Sequence, residues 1–269
     1  MGDGLPHLRP GGGREGLLSR RLACIALAAL LLSSACERAS TSSPLAARTP
    51  TPLDHAATGT IDGRVRFAGT APAPHTVPGI ASDPTCIAAH PGGLAIQDVR
   101  VEDGRLADVL VYVARGLADR VFAVPTTPVV VDQVGCMYQP TVVGAQVGQE
   151  IQFDNGDDTL HNVHGEPTKS PAWNFGLGAK GAHRAITIDH AEVPVAVRCD
   201  VHPWMLASIG VVDHPYFAVT STAGTFTLGD VPAGHYTLAA WHPTLGTREV
   251  EVDVVAGKTS AVELTFAAP

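Results

Sequence analysis

At 269 residues, with 45% hydrophobic side chains, the chain can bury one large core or two modest ones. A formal net charge of −8, from 18 basic and 26 acidic residues, argues against nucleic acid as a partner, because phosphate contacts need clustered Lys and Arg. Aromatic residues make up only 5% while Gly (28) and Pro (21) are plentiful, a composition of short strands joined by turns.

Arg14, Arg20 and Arg21 precede an apolar run of 11 residues, Leu22 to Leu32, which is too short to span a bilayer. Ser33-Ser34-Ala35 then leads into Cys36. A basic start, a short apolar run and small residues read as an export signal over residues 1–35. Leu32-Ser33-Ser34-Ala35-Cys36 resembles the bacterial lipoprotein signal. That resemblance implies a diacylated Cys36 at the mature N-terminus, anchored to a bacterial membrane and facing the periplasm or the cell surface. Ser33 stands where the lipoprotein pattern prefers an aliphatic residue, so simple cleavage near Ala35 is the other reading. Residues 36–58 are rich in Ala, Ser, Thr and Pro without an apolar period, which reads as a disordered tether after the lipidated cysteine.

A first β region spans residues 59–126. Ile61, Gly63, Val65 and Phe67 alternate with polar partners, and Val99 to Val101, a turn at Asp103-Gly104 and Ala107 to Val113 read as further strands. Between them, Gly69 to Gly93 reads as an irregular loop holding Cys86. Strand patterns recur at Pro128 to Gln133, Glu150 to Phe153, Ala185 to Ile188, Val193 to Arg198 and Ser208 to Val212, within a second region, 127–213. From about His214 the chain continues with alternating segments at Gly224 to Leu228, Val231 to Leu238, Glu249 to Val254 and Ala261 to Phe266, a third region of 214–269. No convincing helical period runs over three turns between residues 59 and 213. The fold class is all-β.

The second region carries the chemistry. Strand Val193 to Arg198 delivers Cys199-Asp200-Val201-His202-Pro203-Trp204-Met205, and His161-Asn162-Val163-His164 lies 38 residues upstream of the cysteine. One thiolate, two imidazoles and a thioether form the ligand set of a mononuclear type 1 copper site, with Cys199, His161 and His202 in a trigonal plane and Met205 on the axis. Zinc accepts Cys and His but takes methionine poorly, so Met205 favours copper. His164 reads as a neighbouring or surface histidine. His183, His190 and His214 lack ligand spacing and read as solvated. No Ser-His-Asp set, paired carboxylates or Gly-rich phosphate loop stands out, so the chain does not read as an enzyme.

Cysteine usage fits this reading. Cys24 lies in the export signal, Cys36 takes the lipid and Cys199 the metal. Cys86 and Cys136 remain, and export permits a disulfide between them. The other reading is a second metal site at Cys86 with His90.

The stretch from Val129 to Val212 resembles the cupredoxins, in the amicyanin form rather than the plastocyanin form, because only two residues separate His202 from Met205. The resemblance covers roughly 85 of the 269 residues. It implies a Greek-key cupredoxin β-sandwich or barrel, one type 1 copper per chain, and a neighbouring role for Asn155, hydrogen-bonded to the ligand loop. It also implies a deep His161 and a His202 at an exposed apolar end, flanked by Pro203 and Trp204. Gly224-Thr225-Phe226-Thr227-Leu228 and Val231-Pro232-Ala233-Gly234-His235-Tyr236-Thr237-Leu238 resemble the carboxypeptidase regulatory-like, or transthyretin-like, antiparallel sandwiches. Their opening strands are missing there. Residues 59–126 either supply them, as the first half of a split sandwich, or belong to an extended cupredoxin.

The leading functional expectation is a membrane-tethered type 1 copper protein that passes single electrons between redox protein partners outside the cytoplasm. The alternatives are a copper-binding or delivery lipoprotein without redox cycling, and a structural or ligand-binding surface lipoprotein.

Overall fold

The computed structural model describes residues 49–268. The expected export signal with Cys24, the expected lipidation site Cys36 and the first part of the expected tether lie outside the described residues. The last part of the tether is more ordered than its composition suggests. The amide of Thr51 donates to the Val121 carbonyl (2.8 Å) and its hydroxyl oxygen accepts from the Val121 amide (3.0 Å), while Thr58 already begins a strand. Backbone pairing with a distant segment outweighs local composition there. Among the described residues, no helix is long and apolar enough to cross a membrane.

The chain is all-β, with two separate cores. The first lies between two sheets drawn from 129–212. One contains strands His183–Ile186, Ile151–Asn155, Val129–Gln133 and Tyr138–Gln139; the other contains Trp173–Leu177, His161–Glu166, Glu192–Arg198, Leu206–Val212 and Val142–Gln146, each in that spatial order. Each sheet includes one parallel pair, Val129–Gln133 beside Ile151–Asn155 and Val142–Gln146 beside Leu206–Val212. Val131, Tyr138, Ile151, Phe153, Val163, Val195, Val197 and Ile209 fill this core.

The second core joins two distant pieces of chain. Strand Thr58–Ala68 pairs antiparallel with Thr225–Pro232 and parallel with Thr259–Ala267. Facing it, strand Leu110–Arg115 pairs with Gly234–His242 and Phe217–Val219. Ile61, Gly63, Val65 and Phe67 point inward along the first strand while Asp62, Arg64 and Arg66 face water, as the period of two requires. Strands from before and after the 129–212 segment therefore share both sheets of this sandwich.

The two cores meet at a seam. Leu110, Val142 and Trp241 form a small buried cluster there. Gly144 and Gly210 are register partners on adjacent parallel strands. A Cβ at Gly144 would lie 2.4 Å from the Phe217 ring, and one at Gly210 would lie 1.9 Å from Leu110 Cδ2. Both glycines are needed because sandwich side chains press directly onto the backbone of this sheet.

The segment 69–93, expected to be irregular, holds two short helical pieces, Pro78–Ser82 and Pro84–Ala89. Asp83 caps the second through its carboxylate, which accepts from the amides of Thr85 (2.7 Å) and Cys86 (3.2 Å), and Pro84 occupies the first helical position. Cys86 on this helix is joined to Cys136 by a disulfide, with Cα atoms 5.6 Å apart. His90 donates from Nε2 to the Gly135 carbonyl at 2.7 Å.

Candidate metal centre

His161 opens its strand, Cys199 follows the end of Glu192–Arg198, and His202 and Met205 lie on the loop before Leu206–Val212. That loop is closed by its own backbone. The Cys199 amide donates to the Met205 carbonyl (3.1 Å), and the Met205 amide donates to the His202 carbonyl (2.9 Å). Tyr138 fastens the loop's base to the His161 strand, its hydroxyl lying 2.6 Å from the Asn162 carbonyl and 3.2 Å from that of Arg198. The Asp200 amide also donates to Asn162 Oδ1 at 2.9 Å.

Within this frame Nδ1 of His161 lies 3.0 Å from Nδ1 of His202, and the latter lies 3.9 Å from Cys199 Sγ. The three donor atoms all fall within 4.8 Å of one another, and the three residues are buried. Two donors each about 2.0 to 2.3 Å from a shared first-row ion are separated by roughly 3 to 4 Å, so the spacing suits one ion. Met205 is fully buried on the same loop. Cys199 forms no disulfide among the described residues, and its Sγ accepts from the amides of His202 (3.3 Å) and Asn162 (3.4 Å). Burial pushes the thiol's pKa up. Hydrogen bonds from His161, His202 and these two amides outweigh that and hold it at about 6, against an ordinary 9.0, which favours the thiolate a soft metal requires.

Each imidazole turns its other nitrogen to a carboxylate. Nε2 of His161 lies 2.9 Å from Asp157 Oδ2, and Nε2 of His202 lies 3.2 Å from Asp83 Oδ2. Asp157 also accepts from the amides of Gly135 and Cys136 at 2.8 and 2.7 Å. Burial would raise its pKa, but these amides and His161 keep it below the usual carboxylate value. Neither aspartate was singled out in the sequence. Asp157 had one local signal, its place four residues before His161. Asp83 lies 119 residues from its histidine and had none.

Three expectations change. His202 is not at an exposed end; only 2% of it is accessible, because the Pro84–Ala89 helix, Asp83 and the disulfide cover its outer edge, with Cys86 Sγ 3.7 Å from Nε2. Asn155 does not reach the Cys199–Met205 loop. Its amide group donates to the carbonyls of Thr159 (2.8 Å) and Leu177 (2.9 Å), and its Oδ1 accepts from the Asp157 amide (2.9 Å), so it shapes the turn leading into His161. His214 is buried rather than solvated: its Nε2 donates to the Val113 carbonyl and its Nδ1 accepts from the Tyr216 amide, which pairs both ring nitrogens. His164 lies outside the donor cluster, its Nδ1 3.0 Å from the Asp200 carboxylate.

No protein-family model and no curated protein matches the chain. Solved structures match part of it. A copper-containing nitrite reductase from Thermus scotoductus SA-01 aligns at 26% identity with a TM-score of 0.30, over 36% of this chain and 25% of the reductase. The chain thus spans about a quarter of that enzyme's length. A purple cupredoxin from Nitrosopumilus maritimus aligns at 18% identity and a TM-score of 0.27, over 31% of this chain and 98% of its own. An oxidized mutant of amicyanin aligns at 21% identity and a TM-score of 0.29, over 38% and 90%. These likenesses to cupredoxin-type proteins cover about a third of the chain.

Proposed function

We propose that the chain is an exported, lipid-tethered carrier of single electrons that holds one copper ion between His161, Cys199, His202 and Met205 and performs no bond chemistry on a substrate. The observation that carries this reading is the convergence of one free thiol and two imidazole nitrogens inside a closed core, with a buried methionine on the same short loop. A soft thiolate, two imidazoles and a thioether select copper over zinc and over hard cations. Bound copper supplies a one-electron couple and an intense thiolate charge-transfer band in the visible.

The protein's part is positional. The Asn162 and His202 amides hold the sulfur, Tyr138 ties the two ligand segments together, and Asp157 orients His161. Ligands held this rigidly move little between oxidation states, which keeps electron transfer fast. Burial keeps bulk water from the donors. The metal-free protein titrated with Cu(II) should bind one equivalent and turn intensely coloured. A colourless complex, or no uptake, would overturn the reading.

The burial of His202 favours one rival, a copper-holding or delivery protein, since a covered ligand offers no edge to a redox partner. Reversible one-electron voltammetry supports the carrier; copper transfer to an acceptor without such a response supports the rival. Export, anchoring and redox protein partners rest on the sequence, from Arg14 to Cys36 and the ligand set. Mass spectrometry of the mature N-terminus is expected to find a diacylglyceryl group on Cys36. A mature chain lacking it would leave an exported soluble carrier.

A further inference from the structure

We propose that Asp83, from the region preceding the 129–212 segment, is a positioning residue for His202, so that the metal centre is completed by a carboxylate outside the one sheet that supplies its ligands. This rests on the copper reading above. His202 turns Nδ1 toward His161 and Cys199, which leaves Nε2 facing away from the donor cluster. There Asp83 Oδ2 lies 3.2 Å away and the disulfide sulfur of Cys86 3.7 Å away, so the Nε2 proton goes to the nearer and stronger acceptor, the carboxylate. The carboxylate is held from three directions. Thr159 donates its hydroxyl to Oδ2 at 2.9 Å, and the amides of Thr85 and Cys86 donate to Oδ1. Thr159 lies in the turn that leads into His161, so one aspartate touches both ligand-bearing segments. The helix that Asp83 caps is fastened by the Cys86–Cys136 disulfide.

A carboxylate on the far nitrogen fixes the ring's orientation and makes the ligating nitrogen a stronger donor. A stronger donor stabilises Cu(II) over Cu(I) and lowers the reduction potential.

Two variants separate this role from the helix cap. Asp83→Ser keeps a good capping side chain but is too short to reach His202. Asp83→Asn keeps an acceptor at full length without the charge. In Asp83→Ser the Cu(II) dissociation constant should rise by about 10 to 100-fold and the potential should rise. The blue colour should persist, and the metal-free protein should unfold close to the parent's temperature. Asp83→Asn should shift both quantities in the same direction by less. If both variants hold Cu(II) within about twofold of the parent at an unchanged potential, Asp83 only caps a helix and the proposal fails. A lowered potential would also overturn it. If metal-free Asp83→Ser is itself destabilised, Asp83→Asn decides alone. A parent protein that takes up no copper fails the functional reading as well, whereas a blue parent with unmoved variants fails only the role of Asp83.

Discussion

The molecule contains two sandwiches of similar build that bury different things. The core assembled from strands Thr58–Ala68 and Leu110–Arg115 and the strands within 217–267 is filled by Ile61, Val65, Phe67, Leu238 and Phe266. Of its buried histidines, His214 is fully paired and His242 lies beside Phe266. The core of the 129–212 segment adds to its aliphatic filling a free cysteine, two histidines and an asparagine, all nearly inaccessible. Burying such groups costs stability unless each is paired. Here the pairing comes from Asp157, Asp83 and backbone amides, and it gathers at the end of the sheets where Cys199 and His202 lie. One sandwich buries mainly apolar side chains. The other gives up apolar packing to hold a reactive cluster.

Removing the thiolate is the strongest test of that contrast. Cys199→Ala should abolish the blue absorption and weaken Cu(II) binding by more than about 100-fold, beyond the loss typical of an outer contact, while the far-UV circular dichroism of both sandwiches persists. Met205→Ala should keep copper and colour and shift only the potential and spectrum. Equal loss of copper in the two variants would remove Met205 from the axial position.

The disulfide fastens the segment around Cys86, which packs on the core of 129–212, to Cys136 across 50 residues of chain. Closing a loop of that length stabilises by about 4 kcal/mol in the chain-entropy view. Cys86→Ser with Cys136→Ser should lower the unfolding temperature accordingly and expose His202 to solvent exchange. Thiol titration of the denatured, unreduced, metal-free mature protein should find a single thiol, from Cys199. Three thiols would remove the disulfide and return Cys86 to the list of metal donors.

His242 offers a pH handle on the sandwich. Burial lowers its pKa from 6.5 to about 4, its Nε2 has no partner among the described residues, and Nδ1 accepts from the Thr244 amide at 3.1 Å. The unfolded chain binds this proton more readily than the native one. Its stabilising contribution is therefore complete above pH 6.5, falls as the pH drops toward about 4, and is flat below that. The loss is at most about 3 kcal/mol. His242→Phe should flatten this part of the stability profile, measured by urea unfolding between those limits. An unchanged slope would assign the acid sensitivity elsewhere.

The smallest effect is expected at the seam. Gly210→Val drives a side chain into Leu110 and should cost about 1–3 kcal/mol. Because both sandwiches meet there, calorimetry should resolve two transitions where the parent shows one. A single, merely lowered transition would mean that the two cores remain one cooperative unit.

Much of this architecture was legible in the chain itself. Alternation at Ile61 to Phe67, Glu150 to Phe153 and Glu249 to Val254 marks strands because a half-buried strand must repeat every two residues. The spacing within Cys199 to Met205 and the upstream His161 singled out His161, Cys199 and His202, which the fold does bring together, since a short loop fixes its side chains by local geometry. Strand Val142–Gln146 escaped because it is covered on both faces, by its own core and by the seam, and so has no polar alternation to read. Strand Trp173–Leu177 did carry alternating Trp173, Phe175 and Leu177 and could have been found. Ser82-Asp83-Pro84 was likewise a readable helix start. What no local pattern held was the company each residue keeps. That His202 is covered, that Asp83 meets it from 119 residues away, and that Thr58–Ala68 finds its partners beyond residue 224 are decided by tertiary packing. Sequence periodicity records which face of an element is buried, but not which distant element buries it.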